Sequence, residues 1–281
     1  MLNTHNYNTT NFNALGGASG SASAVEEIMF NDYGLQNKDI ITSLLIQDST
    51  PERDFETVPM PRNDGQIITG DFWRRKIIRI EGTMKKPTRY DLEMEMDAMK
   101  MALSKHEGNF DVVVAGEQRR YIATLINSQT MFEERQGYHI NISPFKAEFE
   151  CSVPFGQSIN YISRAFFAQT ALSLNEEIIN KGTAPARPII IYNFNSGTAK
   201  TSISFKNNTT AEEIILTKAL AAGNYIEFDS ETMEVRHNGI VQDYSGSFPS
   251  FAVGVNSFTL TIGGSGSING DITIKYKNNF L

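Results

Sequence analysis

The stretch Tyr225–Gln242, YIEFDSETMEVRHNGIVQ, decides the fold class of this chain. Its runs Tyr225–Phe228, Glu234–Arg236 and Ile240–Gln242 are short and rich in β-branched and aromatic residues, as strands are. The dipeptide Asn238-Gly239 separates the last two runs, and Asn-Gly is the pair that a two-residue hairpin turn favours. The stretch therefore predicts consecutive antiparallel strands.

The same pattern extends over the rest of the chain after Pro188. Strand candidates recur there at the spacing of roughly 8–12 residues that is typical of a β-sandwich. The further candidates are Ile189–Phe194, Thr201–Phe205, Glu213–Leu216, Ser257–Ile262 and Ile272–Tyr276. We therefore predict a β-sandwich domain over residues 187–281.

The first half of the chain also favours β-structure, interrupted by one helix. Its strand candidates are Ile40–Ile46, Ile77–Ile80, Asp111–Val114, Tyr121–Ile126 and Tyr138–Ile142. A helix is predicted over about residues 89–106, where Leu92, Met96, Met99 and Leu103 share one helical face. Thr88 is its predicted N-cap, with Asp91 three residues later, and Gly108 is expected to end it.

Composition divides the chain further. Residues 1–24 are rich in Asn, Ser, Thr and Gly and are expected to form a flexible arm. Residues 25–157 form the predicted N-terminal domain. Residues 158–186 contain Lys181-Gly182-Thr183-Ala184-Pro185 and are expected to be a connector. The fold class is thus mainly β with one prominent helix, in two domains.

The net charge of −7, with 25 basic and 32 acidic residues, argues against nucleic-acid binding as the main task. Since the sequence lacks an apolar run of the length that a membrane helix needs, we expect no membrane span. The single cysteine, Cys151, excludes an intrachain disulfide and a thiolate metal site. Its place in an alternating run favours a buried apolar role over that of a nucleophile.

We find no catalytic set in the sequence, and therefore expect neither an enzyme nor a cofactor. His5, His106, His139 and His237 do not stand at metal-ligand spacing. The segment Gly264–Ser267 falls between two predicted strands, so it is interpreted as a loop and not as a nucleophile elbow or phosphate cradle.

An ordered series of turn and strand signatures resembles the siphophage distal tail (Dit) family. It covers about residues 25–281, and no single signature in it is decisive. The matching elements are Asn180-Lys181-Gly182-Thr183, Pro188-Ile189-Ile190, Gly223–Asp229, Asn238-Gly239, Ser245–Pro249 and Gly254–Phe258, with Val58–Gly65 and Arg79–Thr83 in the first half. The arm at 1–24 and the methionine-rich helix depart from the family pattern.

The resemblance implies a structural subunit of the virion, located at the distal end of the tail and assembled in the host cytoplasm. It implies an N-terminal domain that forms a ring, expected to be a hexamer, and an outer galectin-like or carbohydrate-module-like sandwich. The implied partners are other copies of the chain, a tail-tube protein, a tail-tip hub protein and, for some members, a host glycan. Some relatives also grip receptor-binding proteins through a large insertion in the outer domain, whereas the gaps between strands are short here.

Candidate interface residues come from two segments. The turn-rich segment Pro59–Arg75, expected to be mobile in isolation, contributes Pro61, Arg62, Trp73 and Arg74. Trp and Arg often anchor protein interfaces, but Trp73 could equally pack under its own domain. The helix contributes Met94 and Met101, which do not lie on its predicted buried face.

The alternative function is a carbohydrate-binding module of a cell-surface or adhesion protein. Such a module needs an exposed aromatic platform, and the one tryptophan lies outside the predicted sandwich. The aromatic candidates are Tyr192, Tyr225, Tyr244 and Tyr276, whose strand patterns favour packing for most of them.

Overall fold

The computed structural model describes residues 28–46, 50–60, 64–114, 116–130 and 141–281. The expected arm at 1–24, Pro61, Arg62 and the predicted strand residues 138–140 lie outside the described residues. The elements of the first half are β1 (Ile28–Phe30), β2 (Tyr33–Gly34), β3 (Ile40–Ile46), β4 (Arg53–Pro59), β5 (Gln66–Trp73), β6 (Lys76–Lys85), α1 (Arg89–Leu103), β7 (Gly108–Val114), β8 (Glu117–Thr130), β9 (Ile142–Cys151) and β10 (Gly156–Ser158).

The second half is built from strands. They are β11 (Ile162–Gln169), β12 (Ser173–Asn180), β13 (Ile189–Gly197), β14 (Lys200–Asn207), β15 (Glu213–Leu220), β16 (Tyr225–Asp229), β17 (Glu234–His237), β18 (Ile240–Gln242), β19 (Ser245–Gly246), β20 (Gly254–Gly263), β21 (Ile268–Tyr276) and β22 (Asn279–Phe280). The predicted fold class, mainly β with one prominent helix and a C-terminal sandwich, is confirmed.

The N-terminal domain is a large antiparallel sheet with α1 packed on it. The main path of the sheet is β2-β1-β7-β8-β9-β6-β3, and β10 pairs with β8. Strand β6 buries every second residue, among them Ile78 and Ile80, as a half-buried strand should. The helix covers this face with the four residues that its periodicity predicted, Leu92, Met96, Met99 and Leu103.

The helix begins as predicted but ends earlier. The side chain of Thr88 accepts a hydrogen bond from the backbone N–H of Asp91 at 3.1 Å, which satisfies one of the free donors of the first turn. The last helical residue is Leu103. Gly108 does not cap the helix but starts β7, where a Cβ atom would come within 2.1 Å of the Asn31 side chain.

Two sheets form the sandwich. One has the order β11-β21-β13-β16-β17-β18 and the other β12-β20-β14-β15-β19. Buried Phe194, Phe205, Phe228 and Phe258 contribute to the core between them. The Asn238-Gly239 turn has positive φ at both residues, 51° and 79°, as a type I′ hairpin requires.

The segment 158–186, expected as a connector, differs from its prediction. Strand β11 pairs with β21 and strand β12 pairs with β20, so both lie in the sandwich. Strand β12 has a polar composition because it is an edge strand with one face in solvent. Ile178 and Asn180 are buried on its inner face, whereas Glu177 and Ile179 are exposed.

Candidate assembly interface

Strands β4 and β5 form an arm that pairs with no other sheet. We define the arm as residues 52–60 and 64–75. From here on the term refers to this hairpin and not to the segment expected over residues 1–24. The base of the arm is closed by backbone hydrogen bonds from Glu52 N to Arg75 O (2.9 Å) and from Arg74 N to Glu52 O (2.7 Å). The sequence predicted a turn-rich segment from Pro59 to Arg75, mobile in isolation, but in the structure β5 occupies residues Gln66–Trp73 of it. An isolated two-stranded hairpin is marginally stable in water.

The arm exposes apolar side chains on both of its faces. Because side chains alternate along a strand, the register places Phe55 and Ile68 on one face and Val58, Ile67 and Phe72 on the other. Ile68 is 60% exposed and Phe72 is 55% exposed. A hairpin that packed only against its own domain would bury one of these faces. This pattern suits an element that is covered from two sides.

Two ion pairs near the base of the arm join its own two strands. Arg53 Nε donates to Asp71 Oδ1 at 2.7 Å, and Arg74 Nε donates to Asp54 Oδ2 at 2.9 Å. The hydrogen bond to Asp71 raises the pKa of Arg53 above its ordinary value. Paired charges cost less to bury than lone ones. The arm is thus already partly prepared for burial against another protein.

Trp73 lies at the end of β5, half-buried. Its ring contacts the Phe155 ring edge-on, with 6.4 Å between centroids, and the Arg53 guanidinium lies 4.8 Å from its centroid. Trp73 therefore fits neither of its two interpretations fully, since it packs at the base of the arm and keeps an exposed part.

Met94 and Met101 lie on α1 and not on the arm, so the predicted interface residues occupy two surfaces. Both are exposed, as expected, at 55% and 72%. Tyr90, 70% exposed, shares their face at helical spacing and was not among the residues predicted from the sequence. Met94 also lines a groove of about 370 Å³ with Asp39, Lys86 and Glu95.

The apolar residues of the arm, Phe55, Val58, Ile67 and Ile68, were also not predicted. The signal that could have identified them is a pair of apolar runs flanking Asn63-Asp64-Gly65, a turn signature. That signature contributed only to the family resemblance.

The candidate sugar platform does not form from the four tyrosines. Tyr192 and Tyr276 are buried in the sandwich core. Tyr225 is half-buried and its hydroxyl donates to Glu227. Tyr244 is exposed, but its ring packs against Phe248 with 4.9 Å between centroids.

Other chemistry is sparse in the described part of the chain. It contains no group of His, Cys, Asp and Glu that could hold a metal ion. Gly264–Ser267 is the loop between β20 and β21. Cys151 is fully buried. Within the described ranges, no helix has the length and apolarity to cross a bilayer.

Residues 181–280 match the family model described as siphovirus-type tail component, C-terminal domain. These residues are thus similar to the C-terminal domain of a siphovirus-type tail component. The predicted resemblance to the distal tail (Dit) family is thus confirmed, and the chain is a structural component of a phage tail.

The similarity to the distal tail fold extends beyond residues 181–280 into the first half of the chain. The crystal structure of the SPP1 Dit protein (gp 19.1), a hub adsorption protein of phages that infect Gram-positive bacteria, matches with a TM-score of 0.65. The match covers 91% of this chain and 99% of that one at 13% identity. The phage P2 baseplate in its activated conformation with Ca matches more distantly, with a TM-score of 0.41 at 8% identity over 86% of this chain and 92% of that one. No curated protein sequence matches significantly.

Proposed function

We propose that this protein is a non-enzymatic subunit of the phage tail tip, and that six copies close into a ring. The ring joins the tail tube to the tail-tip hub, at the distal end of the virion, after assembly in the host cytoplasm. The N-terminal domain, up to about residue 158, builds the ring. The sandwich lies outside it.

The arm is the observation that carries this proposal. A ring of identical subunits needs a head-to-tail contact between two different surfaces of the same chain. The arm supplies one such surface, because it projects as a separate sheet with apolar residues on both faces. Covering Phe55, Val58, Ile67, Ile68 and Phe72 removes apolar surface from water, which favours association.

The tail component family supports the same function from the other half of the chain. The SPP1 Dit protein is a paradigm of the hub adsorption apparatus in phages that infect Gram-positive bacteria. We extend this role to the present chain because the two folds correspond along almost their entire lengths. The sugar-binding alternative has no comparable support, because two of its four tyrosines are buried in the core.

Native mass spectrometry of the purified protein over a range of concentrations tests the proposal. We expect the wild type to form a species of six subunits. The double variant Ile67→Ser/Ile68→Ser should remain monomeric, because it removes apolar surface from both faces of the arm. A matched control is Ile240→Ser/Val241→Ser, which alters two adjacent exposed residues on the sandwich hairpin.

The control variant should assemble as the wild type does. A wild type that stays monomeric at every concentration, and also in assembled tails, would contradict the ring. Equal assembly by both double variants would contradict the role of the arm.

A further inference from the structure

The family signature Asn180-Lys181-Gly182-Thr183 has a structural partner that the sequence alone did not reveal. The partner is the segment 278–281, which follows the last long strand of the sandwich. Lys181 N donates to Asn278 Oδ1 at 3.2 Å, and Thr183 N donates to Asn279 O at 2.9 Å. Leu281 N donates to Thr183 Oγ1 at 2.8 Å. The signature therefore holds this segment in place along its length.

The segment 278–281 also joins the sheet of the N-terminal domain. Strand β22 pairs with β10, and β10 pairs with β8 of that sheet. Ser158 N donates to Asn278 O at 3.0 Å, and Asn278 N donates to Ser158 Oγ at 2.9 Å. A continuous hydrogen-bonded path thus runs from the N-terminal sheet through β10 and β22 to the signature loop of the sandwich.

Phe280 fixes the far end of this path. It is 3% exposed, and the Arg119 guanidinium of β8 lies 4.1 Å from its ring centroid. Cations at this distance from an aromatic face are attracted to it, more strongly where water is excluded. Phe280 belongs to the chain beyond the sandwich, whereas Arg119 belongs to the N-terminal sheet. The contact therefore joins the two domains through side chains as well as backbone.

Two glycines show how closely the path is fitted. A Cβ atom on Gly182 would lie 2.2 Å from the Asn279 carbonyl oxygen, and one on Gly156 would lie 2.5 Å from the Tyr121 ring. Both distances are far below van der Waals contact. Glycine at these positions allows the strands to approach in a way that a larger residue would prevent.

The two domains also meet at a junction beside this path. A crevice of about 100 Å³ lies there, lined by residues of both domains including Arg120, Phe155, Ser158 and Lys277. Domains of one chain move relative to each other by default unless the interface between them is large and hydrophobic. Holding them in one orientation therefore requires a specific tie.

We propose that residues 278–281 form an interdomain clasp that fixes the orientation of the sandwich relative to the N-terminal domain. The Asn180–Thr183 signature is the receptor for the clasp on the sandwich. Strand β10 and Arg119 are its receptor on the N-terminal domain. The inference concerns a single chain, so it stands or falls separately from ring formation.

Spin-label distance measurements on the monomer test the clasp. Labels are placed on Asp97→Cys in α1 and Lys206→Cys in β14, both exposed. We expect a narrow distance distribution with an intact clasp. Phe280→Ala should broaden it about twofold, because domains freed from a tie sample many orientations. The control Phe194→Ala removes an equally buried ring from the sandwich core alone and should leave the width unchanged.

A second variant keeps the test decisive if Phe280→Ala does not fold. Arg119→Ala removes the cation from a half-buried position and leaves β22 intact. It should also broaden the distribution, though less. Gly182→Ala should displace β22 from the sandwich side and produce the same effect. Distributions as narrow as that of the unsubstituted labelled protein in every folded variant would overturn the clasp, as would equal broadening by Phe194→Ala.

Discussion

Trp73 was interpreted from the sequence either as an interface anchor or as a residue that packs under its own domain. Its ring contacts Phe155 and Arg53, and it is half-buried. It belongs to the base of the arm, so its packing and the exposed strands beyond it are parts of one structure.

Trp73→Ala should therefore weaken the monomer only partly. We expect a loss of about 1–2 kcal/mol, from one aromatic pair and one cation–π contact. The matched control Phe149→Ala removes a fully buried ring and should cost about 3–5 kcal/mol. Chemical denaturation at a concentration where the protein is monomeric measures both. A loss for Trp73→Ala as large as that of the control would show that Trp73 is a core residue.

Cys151 gives a second prediction at this scale. Burial raises the pKa of its thiol to about 12 from an ordinary value of 9.0. Because the thiolate is the reactive form, iodoacetamide at pH 8 should label Cys151 in guanidinium but not in the native protein. Intact-mass measurement over time detects the label, and rapid native labelling would contradict the buried position.

The same shift of the Cys151 pKa links its thiol to stability. Above pH 9 the unfolded chain releases a proton that the folded chain retains up to about pH 12. This contribution is therefore fully present below pH 9 and decreases as the pH rises. Relative to Cys151→Ala, the wild type should lose stability between pH 9 and pH 12. Parallel denaturation curves for the two proteins across that interval would contradict the shift.

At the scale of elements, the helix and the central strands were predictable because each buries one face. Period and capping then appear in the sequence, as in Thr88 and the Leu92–Leu103 stripe. The arm strands were not predicted, because both of their faces are exposed and no alternation marks them. Edge strand β12 was mistaken for a connector for a related reason, since an exposed face makes its composition polar.

The exposed face of α1 leads to a prediction about the helix. Met94→Ser/Met101→Ser should change the stability of the monomer by no more than about 0.5 kcal/mol, as exposed substitutions usually do. The control Met96→Ala, on the buried face, should cost about 2–5 kcal/mol. If this face is a subunit contact, the double serine variant should also shift the native mass spectrum towards the monomer. Unchanged assembly would remove the two methionines from the interface.

At the scale of the whole molecule, the sequence predicted the sandwich but not how the two domains are joined. The signature Asn180–Thr183 and the segment 278–281 are far apart in the chain, and their contact depends on the complete sandwich. Candidate interface residues on the arm and on α1 could be named from composition. For the arm, the face that each side chain occupies followed only from the register of β4 with β5.

The sandwich should carry no large peripheral protein at the tail tip. The longest connection between its strands from Ile189 onwards runs only from residue 247 to residue 253. Glu212 accepts hydrogen bonds from Ser250 N at 2.7 Å and Ser250 Oγ at 2.8 Å, and Phe251 is fully buried. This loop is therefore held on the sandwich and cannot reach outwards to grip a receptor-binding protein. Electron cryomicroscopy of intact tails should show a slender tip, and a large protein docked on Asp243–Phe251 would contradict the prediction.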